Sequence, residues 1–178
     1  MRGYFGVGVE RLSKPMNAGS LFRSAHAFGA SFIFTIDSDL QLSDAARSDT
    51  SAAWKQLPFY RFESAESMQL PKGCVLVGIE FLEDATELPS FRHPGQAAYV
   101  LGPERGSLSK ELLARCKHVV QIPTKFCVNI GIAGAIVMYD RLQTMGRFAE
   151  RPVTPSGTPL PVAKHIQGVP VIRKATGD

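Results

Sequence analysis

Short apolar runs at residues 5–9, 31–36, 75–79, 98–101 and 119–122 punctuate the first two-thirds of the chain. Each is rich in Val, Ile, Phe or Tyr and is bounded by Gly, Pro or Asp, the pattern of buried strands. Between them the spacing changes. Leu21, Phe22, Ala25 and Phe28 recur at helical intervals before Gly29, which predicts a helix over Ala18 to Phe28. Leu108, Leu112 and Cys116 predict a second over Leu108 to Cys116. A third is predicted from Ile132 to Met145, with Ile132, Ile136, Val137 and Tyr139 facing inward, and a weaker fourth from Asp44 to Trp54. Alternating strands and helices of this length argue an α/β domain with a mostly parallel sheet and helices on both faces.

The periodicity stops after Ala149, where Arg-Pro-Val-Thr-Pro-Ser-Gly-Thr-Pro-Leu-Pro begins. The organisation expected is one domain over 1–148 and an extended, proline-rich basic tail over 149–178. A length of 178 residues leaves no room for a second catalytic domain. With 44% hydrophobic and 20% charged residues, the composition is that of a globular chain. The longest apolar stretches, Gly73 to Ile79 and Ile130 to Tyr139, fall short of the roughly 20 residues that cross a bilayer. The N-terminus starts strand-like, so neither a membrane span nor a signal peptide is expected.

Cys74, Cys116 and Cys127 are odd in number and show no CxxC spacing. That excludes a disulfide framework and points to a reducing cytoplasm. The net charge of +4 sits largely in the segment from Met145 to Asp178, where Arg147, Arg151, Lys164, Arg173 and Lys174 face only Glu150 and Asp178. Such asymmetry suits a polyanionic partner, although small imbalances are most often solvated surface.

In a parallel sheet, ligands bind beyond the carboxyl ends of the strands, so the loops after the strands carry the candidate chemistry. The first is Lys14-Pro15-Met16-Asn17 running to Arg23. Asn17 is placed to cap the following helix, and Arg23 either faces solvent or enters a cleft to engage phosphate or ribose. The second is Gly102-Pro103-Glu104-Arg105-Gly106-Ser107-Leu108-Ser109, a glycine-marked turn whose backbone can approach a ligand, with Ser109 capping the next helix. It lacks the GKS or GKT of a phosphate loop, and no GxGxxG is present; Gly6-Val7-Gly8 alone does not make a dinucleotide site. The third is Ile122-Pro123 through Asn129 to Ala135, where Gly131, Ala133, Gly134 and Ala135 allow a close neighbour. Cys127 in this loop has no histidine nearby in sequence, so a buried inert thiol is the commoner reading than a nucleophile. His26, His93, His118 and His165 lack metal-ligand spacing, and no GxSxG is present.

Taken in order, these loops resemble the three motifs of the SPOUT superfamily, and within it the TrmH (SpoU) family of RNA 2′-O-ribose methyltransferases. The resemblance runs from Gly3 to Gly146. It rests on Lys14-Pro15-x-Asn17 to Arg23, Val77-Gly78-x-Glu80, Leu101-Gly102-x-Glu104 to Leu108-Ser109, and Ile122-Pro123 to Asn129. In this chain the link from Pro123 to Asn129 is short, Cys127 stands where serine is common, and Gly106 precedes Ser107 where glycine is common.

The resemblance implies a C-terminal trefoil knot, an S-adenosylmethionine pocket within it, a homodimer, and no metal. It implies catalytic roles for Arg23 and Asn17, and cofactor contacts from Ile79, Glu80, Leu101, Gly102, Glu104, Gly106, Ile122, Val128 and Asn129. RNA contacts are expected from Lys14, Arg47, Lys125 and Arg141, joined by Lys164, Arg173 and Lys174 of the tail. The substrate expected is RNA in the cytoplasm, tRNA ahead of rRNA. Two other readings stand beside it, a non-catalytic RNA-binding module and a base methyltransferase of another SPOUT branch.

Overall fold

The computed structural model describes residues 3–39, 55–146 and 148–162. The chain divides into two compact units, Met1–Met145 and Gly146–Asp178. In the second, residues 150–162 are exposed irregular chain with a turn closed by the Gly157 N–H on the Thr154 carbonyl.

The first unit is built on a sheet of β1 (Tyr4–Glu10), β2 (Phe32–Ile36), β3 (Phe59–Phe62), β4 (Val75–Ile79), β5 (Thr86–Glu87), β6 (Gln96–Leu101) and β7 (His118–Gln121). Its order is β3-β2-β1-β6-β4-β7-β5, and every pairing is parallel. The helices are α1 (Pro15–Ala27), α2 (Lys110–Arg115) and α3 (Ile130–Met145). The predicted helix at Asp44 to Trp54 lies outside the described residues.

The continuous apolar strands are buried because both faces of the sheet are covered. On one face Phe5, Val7, Val9, Val77 and Tyr99 pack with Leu21, Phe22 and Ala25 of α1 and Val137 and Met138 of α3. On the other, Phe32, Phe34, Leu76, Ala98 and Val100 meet Met68, Leu108 and Leu112. Gly6 and Gly8 belong to this packing. A Cβ on Gly8 would sit 2.3 Å from the Phe34 ring, and one on Gly6 would sit 2.2 Å from that of Phe32. Likewise the small residues of α3 admit α1, since a Cβ on Gly134 would lie 2.2 Å from Leu21 Cδ1.

Several local expectations are corrected. α1 starts at Pro15, whose ring presets the helical φ, so Asn17 lies inside the first turn and caps nothing; Lys14 is the N-cap residue, without a side-chain bond. α2 is shorter than its apolar spacing predicts, but Ser109 does cap it, its Oγ accepting from the Leu112 N–H at 3.2 Å. On α3, Val137 is buried whereas Ile132 and Tyr139 are 55% and 53% exposed. β3 and β5 carry no distinctive run: β3 is a short edge with Tyr60 and Arg61 exposed, and β5 has two residues.

Candidate active site

The carboxyl ends of β1, β4, β6 and β7 face a cavity of about 380 Å³. Its wall includes Ile79, Glu80, Leu101, Gly102, Glu104, Gly106, Ile122, Val128 and Asn129, the whole set that the motifs single out for a small-molecule ligand. Lys14 and Asn17 also line it. Phe81, Pro103, Thr124, Cys127, Ile130 and Ala133 complete the wall without having been picked out as ligand contacts. Their signal was membership of the same loops.

Each carboxylate of the wall fastens one loop. Glu80, one residue past β4, accepts from the Leu108 N–H at 2.8 Å and from the Phe81 N–H at 3.0 Å. Gly102 fits beneath that contact, where an added Cβ would lie 3.1 Å from Glu80 Oε2 and 3.2 Å from Leu108 N. The turn continues through Gly106 at φ +107, a conformation that favours glycine. At the end of β1, buried Glu10 accepts from the Ser109 N–H at 2.7 Å.

Glu104 joins the second loop to the first. It accepts from the Ser13 hydroxyl at 3.2 Å, the Lys14 N–H at 3.1 Å and Asn17 Nδ2 at 3.1 Å. Burial opposes its ionisation, but hydrogen bonds from its own backbone, Asn17, Lys14 and Ser13 prevail and hold its carboxyl below the usual range. Asn17 Oδ1 in turn accepts from Asn129 Nδ2 at 2.9 Å, and Asn129 Oδ1 accepts from the Gly131 N–H, also at 2.9 Å. One chain of polar side chains therefore ties all three loops together around the cavity mouth.

Arg23 is exposed on α1 and is not part of the cavity wall. Lys125 is exposed on the loop after β7, while Arg47, Lys164, Arg173 and Lys174 lie outside the described residues.

The expectation that Arg141 contacts RNA is corrected, because this side chain is 4% exposed. Its guanidinium donates to the carbonyls of Pro94 at 2.6 Å and Gly95 at 3.0 Å, and to the Tyr99 hydroxyl at 3.1 Å. It is a buried tie to the amino ends of β1 and β6. Tyr99 pairs with His93 Nδ1 at 2.6 Å, and His93 Nε2 with Asp140 at 2.8 Å. Burial lowers the His93 pKa despite that carboxylate. Neutral His93 satisfies all partners, donating from Nε2 to Asp140 and accepting the Tyr99 O–H. Burial pushes Tyr99 up to about 12 and the Cys116 thiol up to about 11. Cys116 and Cys74 are half-buried, and Cys127 is exposed at the cavity.

Ile79, Leu101, Ile122, Val128, Ile130 and Ala133 give the cavity an apolar lining, and Glu80 and Glu104 set two carboxylates against the single amine of Lys14. Such a wall suits a small molecule with both apolar and polar parts. No group of His, Cys, Asp and Glu able to hold a metal ion occurs among the described residues, and none of their helices is long and apolar enough to cross a membrane.

The sequence model of the SpoU rRNA Methylase family matches residues 5–139. The mouse protein tRNA (guanosine(18)-2'-O)-methyltransferase TARBP1 is 26% identical over 151 residues, which is 79% of this chain and 10% of that protein. The chain thus spans a tenth of the length of that curated relative. The AdoMet-bound rRNA methyltransferase of Sinorhizobium meliloti shares the fold with a TM-score of 0.71 at 22% identity, over 80% of this chain and 57% of that one. A structure titled for the 2-OH methylation of C/U34 on tRNA has a TM-score of 0.69 at 23% identity, over 83% of this chain and 100% of that one.

Proposed function

The chain belongs to the SpoU rRNA methylase family, a family of S-adenosylmethionine-dependent RNA methyltransferases, and from that premise we propose that it methylates a ribose 2′-hydroxyl of RNA, tRNA ahead of rRNA. The observation that carries this reading is the cavity at the strand ends, walled by two carboxylates and closed by the Glu104–Asn17–Asn129 chain. The 2′-oxygen and the preference for tRNA are supported by the names of the mouse relative and of the tRNA-methylation structure.

S-adenosylmethionine, when bound, supplies an electrophilic methyl group. The protein's own task is alignment of the 2′-hydroxyl, whose proton passes to solvent water as the oxygen takes up the methyl group. Backbone groups at Leu101, Gly102, Ile122 and Val128, which line the cavity, would hold the cofactor's adenine and amino-acid parts, with Ile79 and Gly106 beside them. Glu80, Glu104 and Asn129 shape the pocket through the loop ties described above. Arg23 polarises the 2′-oxygen and binds an adjacent phosphate; a guanidinium presents N–H donors and no acceptor, which suits it to that role and not to that of a base. Asn17 fixes the segment that carries it. Lys14 and Lys125 contact RNA.

Arg23 reaches the site in a homodimer. Between α1 and α3 lies an apolar groove lined by Met16, Phe28, Ile132, Ile136 and Tyr139, which continues to the cavity mouth through Asn17 and Asn129. Met16, Ile132 and Tyr139 of this groove are 72%, 55% and 53% exposed, and a contiguous apolar patch of this kind is one that another surface covers. Arg23 lies one turn beyond Ser20 on the same helix, so a second copy seated in the groove meets it. The family's knotted path belongs to the same reading, with β7 entering between β4 and β5 before the chain returns to α1.

The test is transfer of labelled methyl from S-adenosylmethionine to tRNA or rRNA by the purified chain, followed by nucleoside analysis. Label in a 2′-O-methylnucleoside is expected, with loss of transfer in Arg23→Ala and nearly unchanged cofactor binding. Label on a base, or RNA binding without transfer, refutes the proposal.

A further inference from the structure

We infer that a cleft beside the cofactor cavity, lined by Arg11, Ser13, Lys14, Pro103, Glu104 and Arg105, is a second binding site, taking a phosphodiester of the RNA next to the target ribose. This inference rests on the RNA methyltransferase reading and extends it to a place on the surface.

The cleft has a volume of about 490 Å³ and shares Lys14, Pro103 and Glu104 with the cavity, so it continues the same opening outward. Its three cations come from separate pieces of the fold: Arg11 follows β1, Lys14 precedes α1, and Arg105 lies between β6 and α2. All three are exposed. An isolated surface cation is ordinarily just solvated, but convergence of three in one concavity beside a cavity for a small substrate is an anion-binding arrangement.

The cations are available. Neither the Lys14 ammonium nor the Arg105 guanidinium has a hydrogen-bond or ion-pair partner among the described residues. Arg11 donates from Nη2 to the Ser107 carbonyl at 2.8 Å and lies 3.6 Å from Glu10, which leaves its other N–H groups free to donate. Two carboxylates lie close by and keep their charge, Glu104 held by Ser13, Lys14 and Asn17 and Glu10 buried on the Ser109 N–H, so the three cations remain in excess of them.

The carboxylate at the amino end of α1 is Glu104, which reaches across from the second loop to the Lys14 N–H and Asn17 Nδ2, so the attraction for an anion comes from the three side-chain cations and not from the helix end. One backbone feature places a cation here. Arg11 holds φ at +51, a left-handed conformation rare for a side chain of this size, fixed by its N–H on the Ile36 carbonyl at 2.8 Å. That backbone and the bond to Ser107 place the guanidinium against the second loop.

The experiment is a titration of a tRNA transcript into the full chain by fluorescence anisotropy across a salt series, with and without competing inorganic phosphate, for wild type, Arg105→Gln, and Arg105→Gln with Lys14→Gln. Lys72→Gln, an exposed charge loss before β4, serves as control. Arg105→Gln is expected to weaken RNA binding about 3- to 10-fold and to lower the slope of log affinity against log salt by about 1, with a larger loss in the double variant. S-adenosylmethionine binding should be unchanged in Arg105→Gln, and Lys72→Gln should match wild type. If wild type binds and methylates RNA while the cleft variants keep its affinity and slope, the site is overturned alone. If only competition by inorganic phosphate changes, the cleft is a free-phosphate site and the RNA assignment is overturned. If wild type neither binds nor methylates RNA, the methyltransferase reading falls and the site falls with it.

Discussion

The Asn129 side-chain amide donates to the carbonyl oxygen of Asn17 at 2.9 Å, joining residues 112 positions apart in the chain. Asn17 passes the connection on through its own amide to Glu104. The order of donors is fixed: Asn129 gives to Asn17, and Asn17 gives to a carboxylate that can only accept.

Asn17→Asp breaks that order. It removes the donor facing Glu104 and puts a second negative charge in its place. Stability is expected to fall by about 1–3 kcal/mol, the range for leaving a part-buried polar group unsatisfied. Urea denaturation measures this, and cofactor affinity should fall in the same variant.

Glu104 gives the clamp a pH dependence. Its folded-state pKa is lowered, so it contributes stability above its ordinary value near 4.5, and that contribution disappears as pH falls through the lowered value. Wild type should therefore lose thermal stability between pH 6 and pH 3 more steeply than Glu104→Gln, which has no carboxylate to protonate. Equal slopes in the two melting curves would remove Glu104 from the account.

Gly102→Ala tests the floor of the cavity. The new methyl meets Glu80 Oε2 and Leu108 N at 3.1 and 3.2 Å, so the hydrogen-bonded pair must shift by a few tenths of an ångström to admit it. S-adenosylmethionine affinity is expected to drop about tenfold, near 1.4 kcal/mol, by isothermal titration. Wild-type affinity would show that the loop yields freely.

The sequence made these loops findable because buried parallel strands read as uninterrupted apolar runs and because ligands gather beyond their carboxyl ends. Val75–Ile79 is found at its predicted boundaries for that reason. Other features are set by long-range contacts that leave no local trace. Arg141 reads as one more surface cation on a late helix, yet Pro94, Gly95 and Tyr99 fold back to enclose it. Asn17 is a capping residue type that stands just before the helical spacing begins at Ala18 and so reads as a cap, whereas its partners arrive from Glu104 and Asn129. Edge strands such as Thr86–Glu87 are too short to show a period.

Cys127 offers a chemical readout of occupancy. It is exposed and lines the cavity, whereas burial raises the Cys74 and Cys116 thiols. Iodoacetamide at neutral pH should label Cys127 first, as read by peptide mass spectrometry, and saturating S-adenosylmethionine should slow that labelling. Labelling that ignores the cofactor would place the ligand elsewhere.

The most direct measurement is mass mapping of ribose methylation in total RNA from cells with and without this gene. The account predicts that one 2′-O-methylated nucleotide, in tRNA first of all, disappears with the gene and returns when the wild-type chain is restored but not with Arg23→Ala. An unchanged ribose-methylation map, or the loss of a base methyl group in its place, would contradict it.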